Sequence, residues 1–241
     1  MTIELKEQVA LITGAARGLG LSIAKNLAEK GVNICGTDLR FELLQKELSD
    51  IAKKYDVETF AIETDVAEER AVCSAVEQVY RRWGKIDILV NNAGLRMVGL
   101  LHETSVDTWD TMQNVNLKGQ FLFTREVLKQ GMLEKNEGTI IFLSSDAGLH
   151  GSKNSGAYGA SKWGVIGLAE TTAKETKRSN IRVSTIAPGR VWTPMAEESE
   201  VADADLDWLD VDDVANAVMF CIEQKAGTII PLLSIMPRSQ I

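Results

Sequence analysis

The sequence predicts a doubly wound parallel α/β domain, and three observations carry the prediction. Short apolar, β-branched runs alternate with longer amphipathic segments along the chain. Most of those runs are continuously apolar, as strands covered on both faces are. No composition break, Pro/Ser-rich linker or repeat divides the 241 residues, so 1–241 reads as a single domain. Strand–helix alternation implies right-handed crossovers and helices on both faces of the sheet.

The elements follow in order. Candidate strands are Val9–Thr13, Val32–Gly36, Thr59–Ile62, Ile86–Val90, Thr139–Leu143, Arg182–Ile186 and Thr228–Leu233. Each is short and rich in Val, Ile, Leu or Thr, the residues that suit a pleated, buried surface. Between them, apolar residues recur at helical spacing over Leu19–Glu29, Phe41–Lys54, Glu68–Trp83, Trp109–Lys129, Ala157–Arg178 and Val211–Glu223.

Composition narrows the function. Apolar residues make up 45 % and charged residues 25 %, with a formal net charge of −8. That balance carries no footprint for nucleic acid or an anionic membrane surface. The N-terminus lacks a basic stretch followed by an apolar run, and no apolar stretch approaches a membrane span. Cys35, Cys73 and Cys221 are scattered and odd in number, which suits packing in a reducing, cytoplasmic setting. His102 and His150 lack metal-ligand spacing with any Cys, His or acid, so no metal is expected.

The first candidate strand runs into a glycine-rich turn, Thr13 to Gly20, and then a helix. Gly14 permits the sharp turn, Gly18 lets the backbone approach a pyrophosphate, and Gly20 lets helix and strand pack closely. The helix start offers free N–H groups and a partial positive charge to phosphates. Asp38, followed by Leu39, lies about 20 residues on, where a carboxylate bonds ribose hydroxyls and repels a 2′-phosphate. It argues for NAD over NADP. Arg17 in the turn, and more weakly Arg40, argue the other way.

Tyr158 and Lys162 stand four apart on one helix face. A free phenol, with a pKa of about 10, is a poor base at neutral pH, and a neighbouring ammonium lowers that value. The pair alone is a common pattern and gains its weight from company.

With that company, from about Val9 to Met195, the chain resembles the classical short-chain dehydrogenase/reductases. Thr13, Gly14, Gly18, Leu19 and Gly20 match the cofactor turn. Asp65 and Val66 match its adenine-contacting pair, and Asn91, Asn92, Ala93 and Gly94 its motif after the fourth strand. Asn116 and Ser145 precede Tyr158 as the catalytic Asn and Ser do, and Pro188, Gly189, Val191 and Thr193 match the segment that holds the nicotinamide carboxamide. The resemblance implies a Rossmann-type seven-stranded parallel sheet of order 3-2-1-4-5-6-7. It implies Tyr158 as general acid/base, Lys162 bonding the nicotinamide ribose and lowering the tyrosine pKa, Ser145 steadying the substrate oxygen, and Asn116 anchoring a water that links Lys162 to solvent. Spacing selects Ser145 over Ser144. The implied activity is NAD(H)-dependent interconversion of a secondary alcohol and a ketone. The alternatives are an NADP(H)-dependent 3-oxoacyl or aldehyde/hydroxy-acid reductase, and a non-catalytic dinucleotide sensor. A homotetramer built on the helices of Asn116 and Tyr158 is also implied, with Gly159, Ala160, Gly164 and Gly167 permitting close contact.

Two regions depart from the family. The tail from Thr228 to Gln240 lacks the usual Val-Asp-Gly-Gly-like close and looks more like a subset that often uses NADP. From Val191 to Gln224 there are ten acids and no Lys or Arg, including Glu197, Glu198, Glu200, Asp203, Asp205 and Asp207. Residues 193–210 read as a short acidic lid that disfavours anionic substrates and acidic carrier proteins. Arg96, Met97, Asp146, His150, Arg190, Trp192 and Met195 follow the motif turns and are candidates to face the substrate.

Overall fold

Successive residues of a strand point to opposite faces, and the strand Val9–Thr13 (β1) is covered on both. Ala10 and Ile12 enter one apolar cluster, Val9 and Leu11 the other. The computed structural model describes residues 4–198, 206–225 and 227–240. Around β1 stand β2 (Asn33–Asp38), β3 (Thr59–Glu63), β4 (Ile88–Asn91), β5 (Glu137–Leu143), β6 (Asn180–Pro188) and β7 (Leu232–Ile235). They form one parallel sheet of order β3-β2-β1-β4-β5-β6-β7, as the sequence implied.

One face is covered by α1 (Gly18–Glu29), α2 (Phe41–Tyr55) and α9 (Val211–Ile222), through side chains such as Ile23, Leu44 and Val218. The other is covered by α3 (Glu69–Trp83), α5 (Gly119–Val127) and α7 (Gly156–Glu175), through Val76, Phe123 and Val165. Strand order reverses direction between β1 and β4. The loops leaving the carboxyl ends of these two strands therefore diverge, and a crevice opens between them.

Several boundaries differ from the sequence reading, three of them for a physical reason. β2 continues past Gly36 to Asp38, paired residue for residue with β3 up to Asp38 and Glu63. β7 begins at Leu232, not Thr228, because Pro231 has no N–H to give the ladder and serves only as acceptor for Thr185. The expected helix Trp109–Lys129 starts earlier, at Val106, where the Ser105 hydroxyl accepts the Thr108 N–H at 3.1 Å. It continues as α4 (Val106–Gln113), α5 and α6 (Leu133–Lys135), joined by wide π-type turns at Asn114–Lys118 and Leu128–Met132. A short helix, α8 (Pro194–Glu198), begins the segment that the sequence marks as a lid. Glu200, Asp203 and Asp205 lie outside the described residues. No helix among the described residues is long and apolar enough to cross a membrane.

Candidate active site

The crevice is a cleft of about 670 Å³ running from the end of β2, past the turn after β1, to the start of α7. Its phosphate end is built by glycine. Gly14 (φ +67°) and Gly18 (φ +57°) adopt left-handed backbone. A Cβ on Gly20 would stand 2.2 Å from the Gly14 carbonyl oxygen, so only glycine lets α1 start this close to the turn. Helix α1 has no side-chain cap at Arg17 and no acid in its first turn. Its free N–H groups and positive end are open to an anion.

Thr13 and Asn92 lock this turn to the end of β4. The Thr13 hydroxyl accepts the N–H groups of Asn92 (3.0 Å) and Ala93 (2.9 Å). The Asn92 amide donates back to the carbonyl oxygens of Thr13 (2.8 Å) and Gly14 (3.1 Å). At the far end, the buried Asp38 carboxylate accepts the Ala16 N–H at 3.1 Å and the Arg40 N–H at 3.0 Å. Leu39, Asp65 and Val66 line the same end, and Asp65 is turned by accepting the Ala67 N–H at 2.9 Å.

At the other end stand Ser145, Tyr158 and Lys162 on a shared wall. Ser144 and Ser145 differ in their partners. The Ser144 hydroxyl donates to the Lys162 carbonyl oxygen at 2.9 Å, while Ser145 lines the cleft beside Tyr158 and acts on its phenol. The Ser145 hydroxyl also donates to Asp146 at 3.0 Å. Burial pushes the Tyr158 phenol above its ordinary value, opposed by the neighbouring Ser145 hydroxyl and the Arg96 charge, while Asp146 adds to the rise. Arg96 stands over the Tyr158 ring at 5.5 Å. Lys162 Nζ stands over the same ring at 5.7 Å, so two cations flank the phenol. Lys162 is buried, donates to the Leu143 carbonyl oxygen at 2.9 Å, and is pushed down to about 8 by desolvation.

Asn116 is fully buried in the first π-type turn and does not line the cleft. Its side chain accepts the Leu95 N–H (2.8 Å) and donates to the Leu95 carbonyl (2.9 Å) and the Ser161 hydroxyl (3.1 Å). It thereby ties the loop after β4 to the helix of Tyr158. Thr13 is likewise buried behind the cleft wall.

Gly94, Pro188, Gly189, Val191, Thr193, Arg190 and Met195 all line the cleft, as do Arg96 and Asp146. Three expected substrate contacts do not. His150 is exposed, because the tight turn Asp146–Gly148 carries it out to solvent. Trp192 packs edge-on against Trp208 with ring centres 5.4 Å apart, and it is Trp208 that lines the cleft. Met97 lines a separate hollow with Met112.

The acids of the stretch from Val191 to Gln224 have varied surroundings. Several acids of the stretch are structural: Asp210 and Asp213 form a capping box on α9, Asp212 accepts from Ser22 at 2.6 Å, and Glu223 pairs with Lys30 at 3.1 Å. Glu198 turns inward to Arg17. Of the six-acid cluster, only Glu198 lines the cleft among the described residues, and its charge is matched.

Among the cleft residues whose contacts the sequence did not reveal, two tie remote parts of the chain together. Glu198 is one. Gln240 is the other: its amide donates to Asp146, and its carbonyl oxygen accepts the Arg190 N–H at 2.8 Å. Neither belongs to a motif, and both meet partners remote in sequence.

The described residues also hold what a dinucleotide requires. The glycine turn is left-handed and uncapped, a buried carboxylate stands at the end of β2, and a Cβ on Gly94 would press on Asn116 Oδ1 at 3.2 Å.

Comparison with known proteins agrees. The short chain dehydrogenase family model matches residues 8–204. An uncharacterised oxidoreductase of Staphylococcus saprophyticus is 34 % identical over 98 % of this chain and 99 % of its own length. A 3-oxoacyl-[acyl-carrier-protein] reductase of Thermotoga maritima is 38 % identical over 81 % of this chain and 79 % of its own. The crystal structure of an alcohol dehydrogenase from Thermococcus sibiricus, complexed with 5-hydroxy-NADP, superposes with a TM-score of 0.87 at 26 % identity, covering 95 % of this chain and 96 % of that one. Fold, cleft and relatives together make this chain a member of the short-chain dehydrogenase family, an NAD(P)-dependent oxidoreductase of CH–OH and C=O groups.

Proposed function

We propose that this chain interconverts a secondary alcohol and a ketone with NAD(H), with all of the machinery in one catalytic domain. The observation that carries the reading is the buried Tyr158 phenol, beside Ser145 and Lys162 in the same cleft that ends at the Asp38 carboxylate. When bound, the nicotinamide supplies or accepts the hydride.

The chain's own part is binding, orientation and proton transfer. Tyr158 holds the proton that passes to or from the substrate oxygen, and Ser145 donates a hydrogen bond to that oxygen as charge develops. Lys162 holds the nicotinamide ribose. Asn116 acts from behind, fixing Leu95 against the helix of Tyr158. Gly14, Gly18 and Gly20 shape the phosphate seat, and Asp38 receives the adenosine ribose hydroxyls. Pro188, Gly189, Val191 and Thr193 form the nicotinamide side of the cleft. Arg96, Asp146 and Met195 border the substrate.

Asp38 carries the preference for NAD, since a phosphate placed against its buried carboxylate meets like charge. A second reading, an NADP(H)-dependent 3-oxoacyl or aldehyde/hydroxy-acid reductase, is favoured by Arg17 in the turn and by the Thermococcus relative's complex with an NADP derivative. We also propose a cytoplasmic homotetramer. Exposed Trp163, Ala160 and Gly167 on α7 and Phe121 on α5 support an apolar face of this kind.

The test follows oxidation and reduction of a panel of secondary alcohols and ketones with each nicotinamide cofactor at 340 nm. Native protein should work faster with NAD(H). Tyr158→Phe should lose several powers of ten in turnover while retaining dinucleotide binding; near-native turnover in that variant would remove Tyr158 from the proposed role.

A further inference from the structure

Arg17 and Glu198 stand 181 residues apart and meet fork to fork, with Nη1 2.5 Å from Oε1 and Nη2 2.7 Å from Oε2. The pair ties the phosphate turn to α8. Pro194, at the start of α8, lies over the same turn, 3.5 Å from where a Cβ on Gly18 would be. Beside this pair is another: the Arg40 guanidinium lies 3.6 Å from the Asp38 carboxylate. The two pairs feel each other. Asp38 reinforces the charge on Arg17, and Arg40 reinforces that on Glu198. All four side chains border the cleft at the end of β2. Their formal charges cancel.

We infer that Glu198 is a cofactor-selecting residue: by holding Arg17 in a two-bond pair, it withholds from the ribose end of the cleft the cation that a 2′-phosphate needs. A phosphate monoester brings roughly two negative charges and three acceptor oxygens, best met by a free guanidinium fork. Here both donors facing Glu198 are taken. A phosphate must either displace the carboxylate or lie beside it, and in each case Glu198 stays as a repelling charge. An unphosphorylated ribose diol is neutral and gains nothing from Arg17, so it is indifferent to the pair. Removing Glu198 changes the local sum from zero to one positive charge and frees the fork.

The pair is worth little to the fold itself. Its side chains are 30 % and 57 % exposed, the regime in which ion pairs add little stability. The effect of Glu198 therefore appears as discrimination between two ligands, not as a change in stability.

The inference rests on the proposed NAD preference for its meaning in the native chain, and the experiment keeps the two apart. NADH and NADPH are titrated separately into native protein, Glu198→Gln and the double variant Arg17→Gln/Glu198→Gln, with no substrate present. Dissociation constants are read from nicotinamide fluorescence, on preparations whose thermal midpoints match. In Glu198→Gln the ratio Kd(NADH)/Kd(NADPH) should rise about tenfold, a change of one charged contact on the affinity scale. In the double variant the rise should vanish. An unchanged ratio in Glu198→Gln, or a rise that persists without Arg17, overturns the inference. A native protein that binds NADPH more tightly than NADH defeats the NAD preference alone; the step from native to Glu198→Gln still decides the role of Glu198.

Discussion

Lys162 Nζ donates to the Leu143 carbonyl oxygen at 2.9 Å, which anchors the buried ammonium at the carboxyl end of β5. Desolvation holds its pKa near 8 against an ordinary 10.5. The sign follows from proton counting. Between about 8 and 10.5 the unfolded chain binds more protons at this site than the folded one, so the contribution of Lys162 to stability rises with pH across that window. Denaturant unfolding at several pH values should give a steeper rise for native protein than for Lys162→Met. Any step that needs the ammonium should fade above about 8. A binding profile for NADH that is flat through this range would show that the charge on Lys162 is not used.

Asp38, proposed to receive the ribose hydroxyls, also holds the turn by accepting the N–H groups of Ala16 and Arg40. Asp38→Ala should weaken NADH binding by about 10–100-fold, the usual worth of a lost charge-assisted hydrogen bond. It should weaken NADPH less, so discrimination relaxes. Calorimetric titration of the two cofactors measures both effects. Equal losses for the two would mean that Asp38 only shapes the turn.

Gly20→Ala places a methyl group 2.2 Å from the Gly14 carbonyl oxygen and 2.6 Å from the Asn92 amide. Both contacts belong to the lock between β1 and β4, so relief requires moving one or the other. The expected loss is about 1–3 kcal/mol, as for other overpacked sites, with a marked loss of dinucleotide affinity. Urea midpoints and a cofactor titration on the same preparation check it. Gly84→Ala is the contrasting control: nothing lies within 4 Å, so any cost there comes from its φ of +69° alone.

Gln240 bonds Asp146, and Asp146 accepts the Ser145 hydroxyl. Gln240 is thus a positioning residue. Gln240→Ala should lower kcat about tenfold, one misaligned hydrogen bond on the transition-state scale. NADH affinity should hold, and Gln240→Glu should not rescue it, since two carboxylates would then face each other. An unchanged kcat, or a loss confined to NADH affinity, would count against the arrangement.

What was legible in the sequence was local. The apolar runs mark the strands because parallel strands buried on both faces admit little else, and the glycines of the turn declare a backbone shape directly. Tyr158 follows Ser145 by thirteen residues, and that spacing selected Ser145, which stands beside the phenol. The partner of Arg17 could not be read this way, because the ion pair depends on where α8 lands after 181 residues of chain. The same holds for Gln240. The acids that follow the lid make a related point: charge along a sequence says nothing of which acids cap helices or meet bases. Pro231 was a local signal for the start of β7, overridden in the reading by the apolar run around it.

The order of strands in the sheet also sets when the molecule becomes able to hold its ligand. Pairing of β1 with β4 joins Ala10 to Ile88, and the cleft above that seam needs Tyr158 from α7 and Gly189 from beyond β6. Folding must therefore close long loops before any complete seat for a dinucleotide exists. Added cofactor should then act late, slowing the return to the unfolded chain while leaving the early collapse unhurried. In a refolding mixture it works as a ratchet, not as a template.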